Sequence, residues 1–219
     1  MGKQEILEIW DWDTAKPTGK SIERSIAHEQ SIPHECVHLW LYRVKNGEIE
    51  LIFQERASTK DNYPNCLDIS VAGHVPFGLQ DGKVAKEAEE ELGIQIDESQ
   101  LINIGMFRYE EQEEKYYQRE FQLVYLLEEN RPLDSYVFQD GEVSGVAFVS
   151  LKDLKKIIDS EHKTTIEIYH GHEIITRDIS RKDFHPLLFT DNMKKYMNVL
   201  FTAIDEYIST GEVKTKLVP

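Results

Sequence analysis

Cysteine, long apolar runs and positive charge are all scarce in this sequence. Only Cys36 and Cys66 are present, too few for a disulfide framework. No apolar stretch approaches the roughly 20 residues needed to span a bilayer. The opening segment MGKQEILEIWDWD has neither the basic flank nor the apolar run of a signal peptide. These absences predict a soluble, cytoplasmic protein with no membrane partner.

The shortage of basic side chains gives a net charge of −15, from 25 Lys and Arg against 40 Asp and Glu. This surplus of negative charge argues against extended contact with nucleic-acid phosphates or an anionic membrane. A small anionic substrate is compatible with it if a cation mediates the contact. The 219 residues are enough for one large domain that carries an extension.

Segments rich in β-forming residues dominate the first two thirds of the chain. CVHLWLYRV (36–44) and EIELIFQERA (48–57) flank an Asn-Gly step, which is a strong hairpin signal. CLDISVAGHV has the pattern of an apolar strand that ends near a glycine. Further strands are predicted at LINIGMFRYE and EFQLVYLLE, joined by an exposed EQEEKYYQR connection, and GVAFVSLKDLKKIID is predicted to be a strand that runs into an amphipathic helix. We therefore predict a mixed-sheet α/β or α+β domain over residues 1–160.

Residues 161–219 are predicted to form an extension packed on this domain. TTIEIYHGHEIITRD indicates a second hairpin, with His170 and His172 marking its turn rather than a metal site. TDNMKKYMNVLFTAIDEYIST indicates a long helix with one apolar face, which comprises Met197, Leu200, Ile204 and Tyr207. The extension either covers a cleft or forms a homodimer contact, and the sequence leaves both open.

The segment VAKEAEEELGIQI (84–96) concentrates like charge on one short helix. Val84, Ala88 and Leu92 form an apolar stripe, Asp81 is placed to cap the amino end, and Gly93 suits the left-handed position after the carboxyl end. Glu87, Glu90 and Glu91 stand at i, i+3 and i+4, so their carboxylates project from neighbouring positions. Two interpretations follow: a solvated acidic face with a Lys86–Glu90 pair, or a site where Mg²⁺ or Mn²⁺ neutralises the cluster.

The wider segment GHVPFGLQDGKVAKEAEEELGI resembles the Nudix box, in which a glycine loop leads into a helix bearing Arg-Glu and Glu-Glu pairs. Lys86 stands at the arginine position, and Gly93 and Ile94 match the end of the box. The resemblance implies that Glu87, Glu90 and Glu91 are the metal ligands, and it leaves Glu89 as a solvated residue. The loop departs from the pattern, because Leu79 and Gln80 stand where the family has a glutamate and the loop is one residue short. Lys86 would then have no evident partner.

The resemblance covers roughly residues 5–155 and is closest to Nudix hydrolases near type I isopentenyl-diphosphate isomerase. EIWDWDTAKPTGKSIERSIAH and LDISVAGHV carry it, and it implies a mixed sheet sandwiched between helices. The isomerase has metal-site histidines near the positions of His28, His34 and His74, and a metal-binding or catalytic glutamate near Glu120. Its catalytic cysteine corresponds to Ala72, and neither Cys36 nor Cys66 has a spacing that replaces it.

By resemblance, the protein is expected to cleave a nucleoside diphosphate derivative or related pyrophosphate with Mg²⁺ or Mn²⁺. The general base is one of the box glutamates, Glu120 or Glu142, each of which has a surface-charge alternative. The predicted substrate contacts are Arg56, His74 and Lys86, and Arg56 is equally suited to a structural ion pair. His34, Cys36 and His38 share one strand face, as metal ligands or as ordinary buried residues. Two further readings stay open: an isomerase, and a Nudix-fold binding protein that has lost activity.

Overall fold

The computed structural model describes residues 5–60, 62–112, 117–139 and 141–219. Its strands are β1 Ile6–Asp11, β2 Lys16–Glu23, β3 His34–Lys45, β4 Glu48–Arg56, β5 Leu67–Ile69, β6 Val71–His74, β7 Ile102–Gln112, β8 Tyr117–Glu128, β9 Val143–Ser150, β10 Lys163–Tyr169 and β11 Ile174–Ser180. Its α-helices are α1 Arg24–Glu29, α2 Lys83–Leu92, α3 Leu151–Asp159 and α4 Asp191–Thr210. Short 3-10 helices include Glu98–Gln100, which follows α2.

Strand β3 is the centre of a large mixed sheet. It pairs antiparallel with β4 and β6 and parallel with β8, while β9, β10 and β11 follow beyond β4. The predicted β3–β4 hairpin is confirmed, and both residues of its turn, Asn46 and Gly47, have positive φ, as tight hairpin turns require. Two turn residues therefore fix the register of the strands on which the site is built.

Helices cover both faces of the sheet because β3 alternates its side chains between two apolar cores. Val37, Leu39 and Leu41 pack with α2 on one face. On the other face Trp40 packs with the buried side of α4. The fold is therefore the expected α+β arrangement of a mixed sheet between helices.

Two details of the predicted strands are wrong. CLDISVAGHV forms two strands rather than one, because the chain bends at Ser70, whose hydroxyl donates to the Ile52 carbonyl and accepts from the Leu41 amide. The described ends of the predicted EQEEKYYQR connection are strand, since β7 continues to Gln112 and β8 starts at Tyr117. Residues 113–116, in the middle of that connection, lie outside the described residues. Helix α1 was not predicted.

The predicted second hairpin and long helix are present as β10–β11 and α4. Met197, Leu200 and Ile204 of α4 are buried, and Tyr207 packs beside them. The sheet continues across the predicted division at residue 160, because Ile168 of β10 pairs with Ala147 of β9. The division itself stays a prediction. Among the described residues, no helix is long and apolar enough to cross a membrane.

Candidate functional site

Helix α2 has the buried stripe that its sequence predicts. Val84, Ala88 and Leu92 are buried against the sheet, and Gly93 ends the helix in the left-handed conformation. The predicted Asp81 cap is wrong. Asp81 is exposed, and the N-cap position is occupied by Gly82, which has no side chain to bond the helix start. Glu98 instead accepts from amides at the helix start, a role that the sequence does not indicate because Glu98 lies beyond the other end of the helix.

Glu87 lies beneath the backbone of β6. A Cβ atom on Gly73 would overlap the Glu87 carboxylate, so the strand and the side chain meet only because residue 73 is glycine. Burial raises the pKa of Glu87 above its ordinary value, and the bond from Lys86 opposes that rise. A partly buried carboxylate in this position favours a cation close to it.

Glu91 is the deepest of the three box glutamates, with 6% of its surface exposed. Its Oε2 atom accepts from the Ala72 amide at 3.1 Å and from Gln54 Nε2 at 3.2 Å. Gln54 was not predicted as a site residue, although it precedes Arg56 by two positions on β4. These two bonds fix the Glu91 carboxylate to β4 and to β6, the strand that also covers Glu87.

Lys86 donates to both of its acidic neighbours. Its Nζ atom lies 2.7 Å from Glu87 Oε1 and 2.7 Å from Glu90 Oε2. The predicted Lys86–Glu90 pair is therefore confirmed, and the expectation that Lys86 lacks a partner is wrong. Burial acts to lower the pKa of Lys86, but the bonds to both carboxylates raise it above its ordinary value. An ammonium group thus supplies the positive charge that the acidic cluster attracts.

A second group of potential metal donors lies on the other side of β6. Ligand atoms of His34, Cys36, His74 and Glu120 all lie within 4.8 Å of one another. Strand register brings them together, since Cys36 pairs with His74 and His34 pairs with Glu120. The sequence predicts Cys36 on one strand face with His34 as candidate metal ligands, and the resemblance names His34, His74 and Glu120. It does not bring Cys36 together with His74 and Glu120, because the β3–β6 register is a tertiary property.

His74 of this second group and its neighbour His28 are held in the neutral form, in which one ring nitrogen can donate a lone pair. Burial is the main cause that lowers the pKa of His74 well below its ordinary value and that of His28 to about 4. The Nε2 atoms of these two histidines are 3.1 Å apart. Burial also raises the pKa of the Cys36 thiol, which keeps it protonated and less suited to binding a metal than a thiolate. His38, expected on the same strand face, instead contacts the Tyr196 hydroxyl at 3.2 Å and does not join the group.

The other predicted site residues have more ordinary surroundings. Arg56 donates to the Tyr63 and Asn62 carbonyls and pairs with Asp68 at 3.2 Å, which matches its ion-pair alternative. Glu142 forms a salt bridge with Lys60, and 49% of its side chain is exposed. Glu120, by contrast, is 8% exposed and accepts from Gln122 Nε2 at 2.8 Å. Of the two proposed bases outside the box, Glu120 lies with the clustered donors.

No protein-family model matches the chain. It is 34% identical to a Nudix hydrolase of Clostridium acetobutylicum over 161 residues. This aligned region is 73% of this chain and 76% of the relative. The chain belongs to the Nudix hydrolase family. Its fold is similar to a crystal structure from Deinococcus radiodurans, with a TM-score of 0.55 and 22% identity over 71% of this chain and 89% of the other.

The Nudix chain is also similar to an isopentenyl-diphosphate isomerase of Aliivibrio fischeri. The two are 29% identical over 139 residues, which is 62% of this chain and 76% of the isomerase. This similarity confirms the predicted position in a branch close to the isomerases. Ala72, which the resemblance aligns with the isomerase's cysteine, lies on β6, where its amide donates to Glu91 Oε2 and its side chain packs against the core.

Proposed function

We propose that this Nudix hydrolase is a metal-dependent pyrophosphohydrolase whose metal ligands are Glu87, Glu90 and Glu91. The observation that carries the proposal is the role of three consecutive residues on β6. The Ala72 amide binds Glu91, Gly73 covers Glu87, and His74 belongs to the second donor group. One short strand thus joins the acidic helix to a buried set of nitrogen, sulfur and oxygen donors.

The donors on α2 fit Mg²⁺ or Mn²⁺, because both ions prefer hard carboxylate oxygens. The Lys86 ammonium, 2.7 Å from two of these carboxylates, supports the inference that a cation is favoured here. Such an ion, once bound, supplies charge neutralisation for a diphosphate and makes nearby water more acidic.

The general base and the substrate contacts are assigned to side chains of the protein. Glu120 is the best-placed general base, since its buried carboxylate lies among the donors near His74. Lys86 and His74 are proposed substrate contacts. Arg56 would have to exchange a carbonyl or its Asp68 partner for phosphate, and Glu142 would have to leave Lys60 before acting as a base.

The proposed substrate is a nucleoside diphosphate derivative or a related small diphosphate. Nucleic acid and membrane partners remain unexpected, given a net charge of −15. The cytoplasmic location stays a prediction, and a homodimer contact stays one of the two alternatives for the extension.

A screen of nucleoside diphosphate compounds with Mg²⁺ and Mn²⁺ tests the activity and its substrate class together. On any substrate found, Glu91→Gln should lower turnover by roughly 100-fold or more, because it removes a charged metal ligand. The fold should persist, since the amide oxygen can still accept from the Ala72 amide. The matched control is Glu89→Gln, which removes the same charge from an exposed position on the same helix.

Thermal unfolding of the same variants separates a chemical role from a structural one. A collapsed transition in Glu91→Gln would make the acidic cluster structural and contradict the proposal. Equal loss of turnover in Glu89→Gln would assign the effect to general electrostatics instead.

Isopentenyl-diphosphate isomerisation is the second candidate, favoured by the donor group around His74 and by the similarity to the isomerase. That reaction needs groups on both sides of the carbon skeleton to add and remove protons. Glu120 could serve as one, but Ala72 has no ionisable atom. We expect no deuterium in the carbon skeleton after incubation with isopentenyl diphosphate and Mg²⁺ in deuterated water. Incorporation detected by mass spectrometry would overturn this assignment.

A catalytically impaired binding protein is the third reading, motivated by the altered loop before α2. It predicts that ligands from the same screen bind without being cleaved. Calorimetric binding of a diphosphate compound, combined with no product in its presence and that of either metal, would favour this reading over hydrolysis.

A further inference from the structure

The start of α2 is held by a carboxylate from outside the helix. Glu98 Oε1 accepts from the amides of Val84 at 2.9 Å and Ala85 at 3.0 Å, and Oε2 accepts from the Gly82 amide at 3.0 Å. The first amides of a helix have no partner within it, so one side chain satisfies most of this helix start. The negative charge also complements the positive end of the helix dipole.

No acidic residue lies in the first turn of α2, and Gly82 at the N-cap position has no side chain to offer. The turn instead carries two lysines, whose charge is unfavourable there. Both are directed to carboxylates: Lys83 to Glu35 at 2.8 Å, and Lys86 to its neighbours on the helix. Among the described residues, Glu98 is therefore the carboxylate that bonds the helix start.

The chain after α2 is shaped to bring Glu98 back along the helix. Gly93 reverses direction with φ of 65°, and a Cβ atom there would lie 2.5 Å from the Val137 carbonyl oxygen. Ile94 is then fully buried in the core beside α2. Asp97 caps the following 3-10 helix through the Ser99 amide, and Glu98 lies in the first turn of that helix.

We propose that Glu98 is a positioning residue for the metal site, which fixes where α2 begins and hence where Glu87, Glu90 and Glu91 stand. Glu98 lies outside the loop that precedes α2. In that loop, Leu79 and Gln80 stand where the Nudix box has a glutamate. The inference rests on the proposed function, because it assigns Glu98 an effect on metal binding through those three ligands. Glu98 itself contacts backbone amides and no reacting group.

The test measures Mn²⁺ binding directly, by electron paramagnetic resonance of the free ion, without substrate. Glu98→Ala should raise the Mn²⁺ dissociation constant by roughly fivefold and increase amide hydrogen exchange at Val84 and Ala85, because it removes the cap. Glu98→Gln, which keeps one accepting oxygen, should give a smaller rise and serves if the alanine variant fails to fold. Glu89→Gln should change the Mn²⁺ dissociation constant by less than about twofold, because it removes an exposed negative charge and leaves the cap formed by Glu98 intact.

A second control separates positioning from general loss of stability. Tyr196→Phe alters α4, on the opposite face of the sheet, and should lower the melting temperature while leaving the Mn²⁺ dissociation constant unchanged. Faster exchange at Val84 in Glu98→Ala with unchanged Mn²⁺ affinity would overturn the inference and leave Glu98 a structural cap. Absence of Mn²⁺ binding in the unaltered protein, or its persistence in Glu91→Gln, would instead refute the proposed metal site.

Discussion

Gly73 lies on β6 between the two donor groups. Its missing side chain leaves room for the Glu87 carboxylate, while the residues on either side engage Glu91 and the second donor group. Its φ is not in the left-handed region, so the demand for glycine here comes from close approach and not from backbone conformation.

Gly73→Ala should therefore displace Glu87 without straining the strand. Turnover is expected to fall by roughly 100-fold, because a shift of about 1 Å in a positioned group can cost that much. Steady-state kinetics and Mn²⁺ binding check the prediction. Unchanged Mn²⁺ affinity together with unchanged turnover would mean that Glu87 is not a ligand.

At the scale of elements, α4 is joined to the central strand by a buried hydrogen-bond triad. The Tyr196 hydroxyl accepts from Trp40 Nε1 at 2.8 Å and lies 3.2 Å from His38 Nδ1. Tyr196 is fully buried, and burial raises the pKa of its hydroxyl, so it remains a neutral phenol between Trp40 and His38. The extension is thus tied to the same strand that supplies His34 and Cys36.

Tyr196→Phe should lower the free energy of unfolding by about 1–3 kcal/mol, because it leaves the Trp40 indole N–H and a histidine nitrogen without their partner. Tyr207→Phe is the matched control, since Tyr207 lies on the same helix and is only partly buried. Urea unfolding measures both variants. An equal loss in the two would show that the triad adds nothing specific to stability.

For the whole molecule, buried histidines couple stability to pH. His28, His38 and His74 all have a pKa lowered below its ordinary value, with burial as the largest cause. The unfolded chain therefore binds more protons below pH of about 6.5, and the stability that neutral histidines contribute is lost as the pH falls from there toward about 4. Burial raises the pKa of Glu35 and Glu87, which acts in the opposite sense at lower pH.

We expect the urea midpoint to decrease as the pH is lowered from about 7.5 to about 5. His38→Gln should reduce the slope of this decrease, because it removes one buried group that must gain a proton on unfolding. A midpoint that is constant over this range would show that these histidines titrate alike in the folded and unfolded chains.

Local patterns in the sequence determined a good part of this protein. The Asn-Gly turn, the spacing of Val84, Ala88 and Leu92, and the position of Gly93 predict the β3–β4 hairpin and α2, because these features act within a few residues. The acidic helix and its resemblance to the Nudix box likewise identify the family before any coordinates are known.

Tertiary structure decided what depends on register and distant contact. The β3–β6 pairing brings Cys36 opposite His74, and Glu98 replaces Asp81 as the helix cap. Arg56 is drawn to Asp68 and two loop carbonyls, while Glu91 is fixed by the Ala72 amide. The sequence does not predict these contacts, because each joins residues that strand pairing or chain reversal brings together. The packed sheet and its two apolar cores determine that pairing.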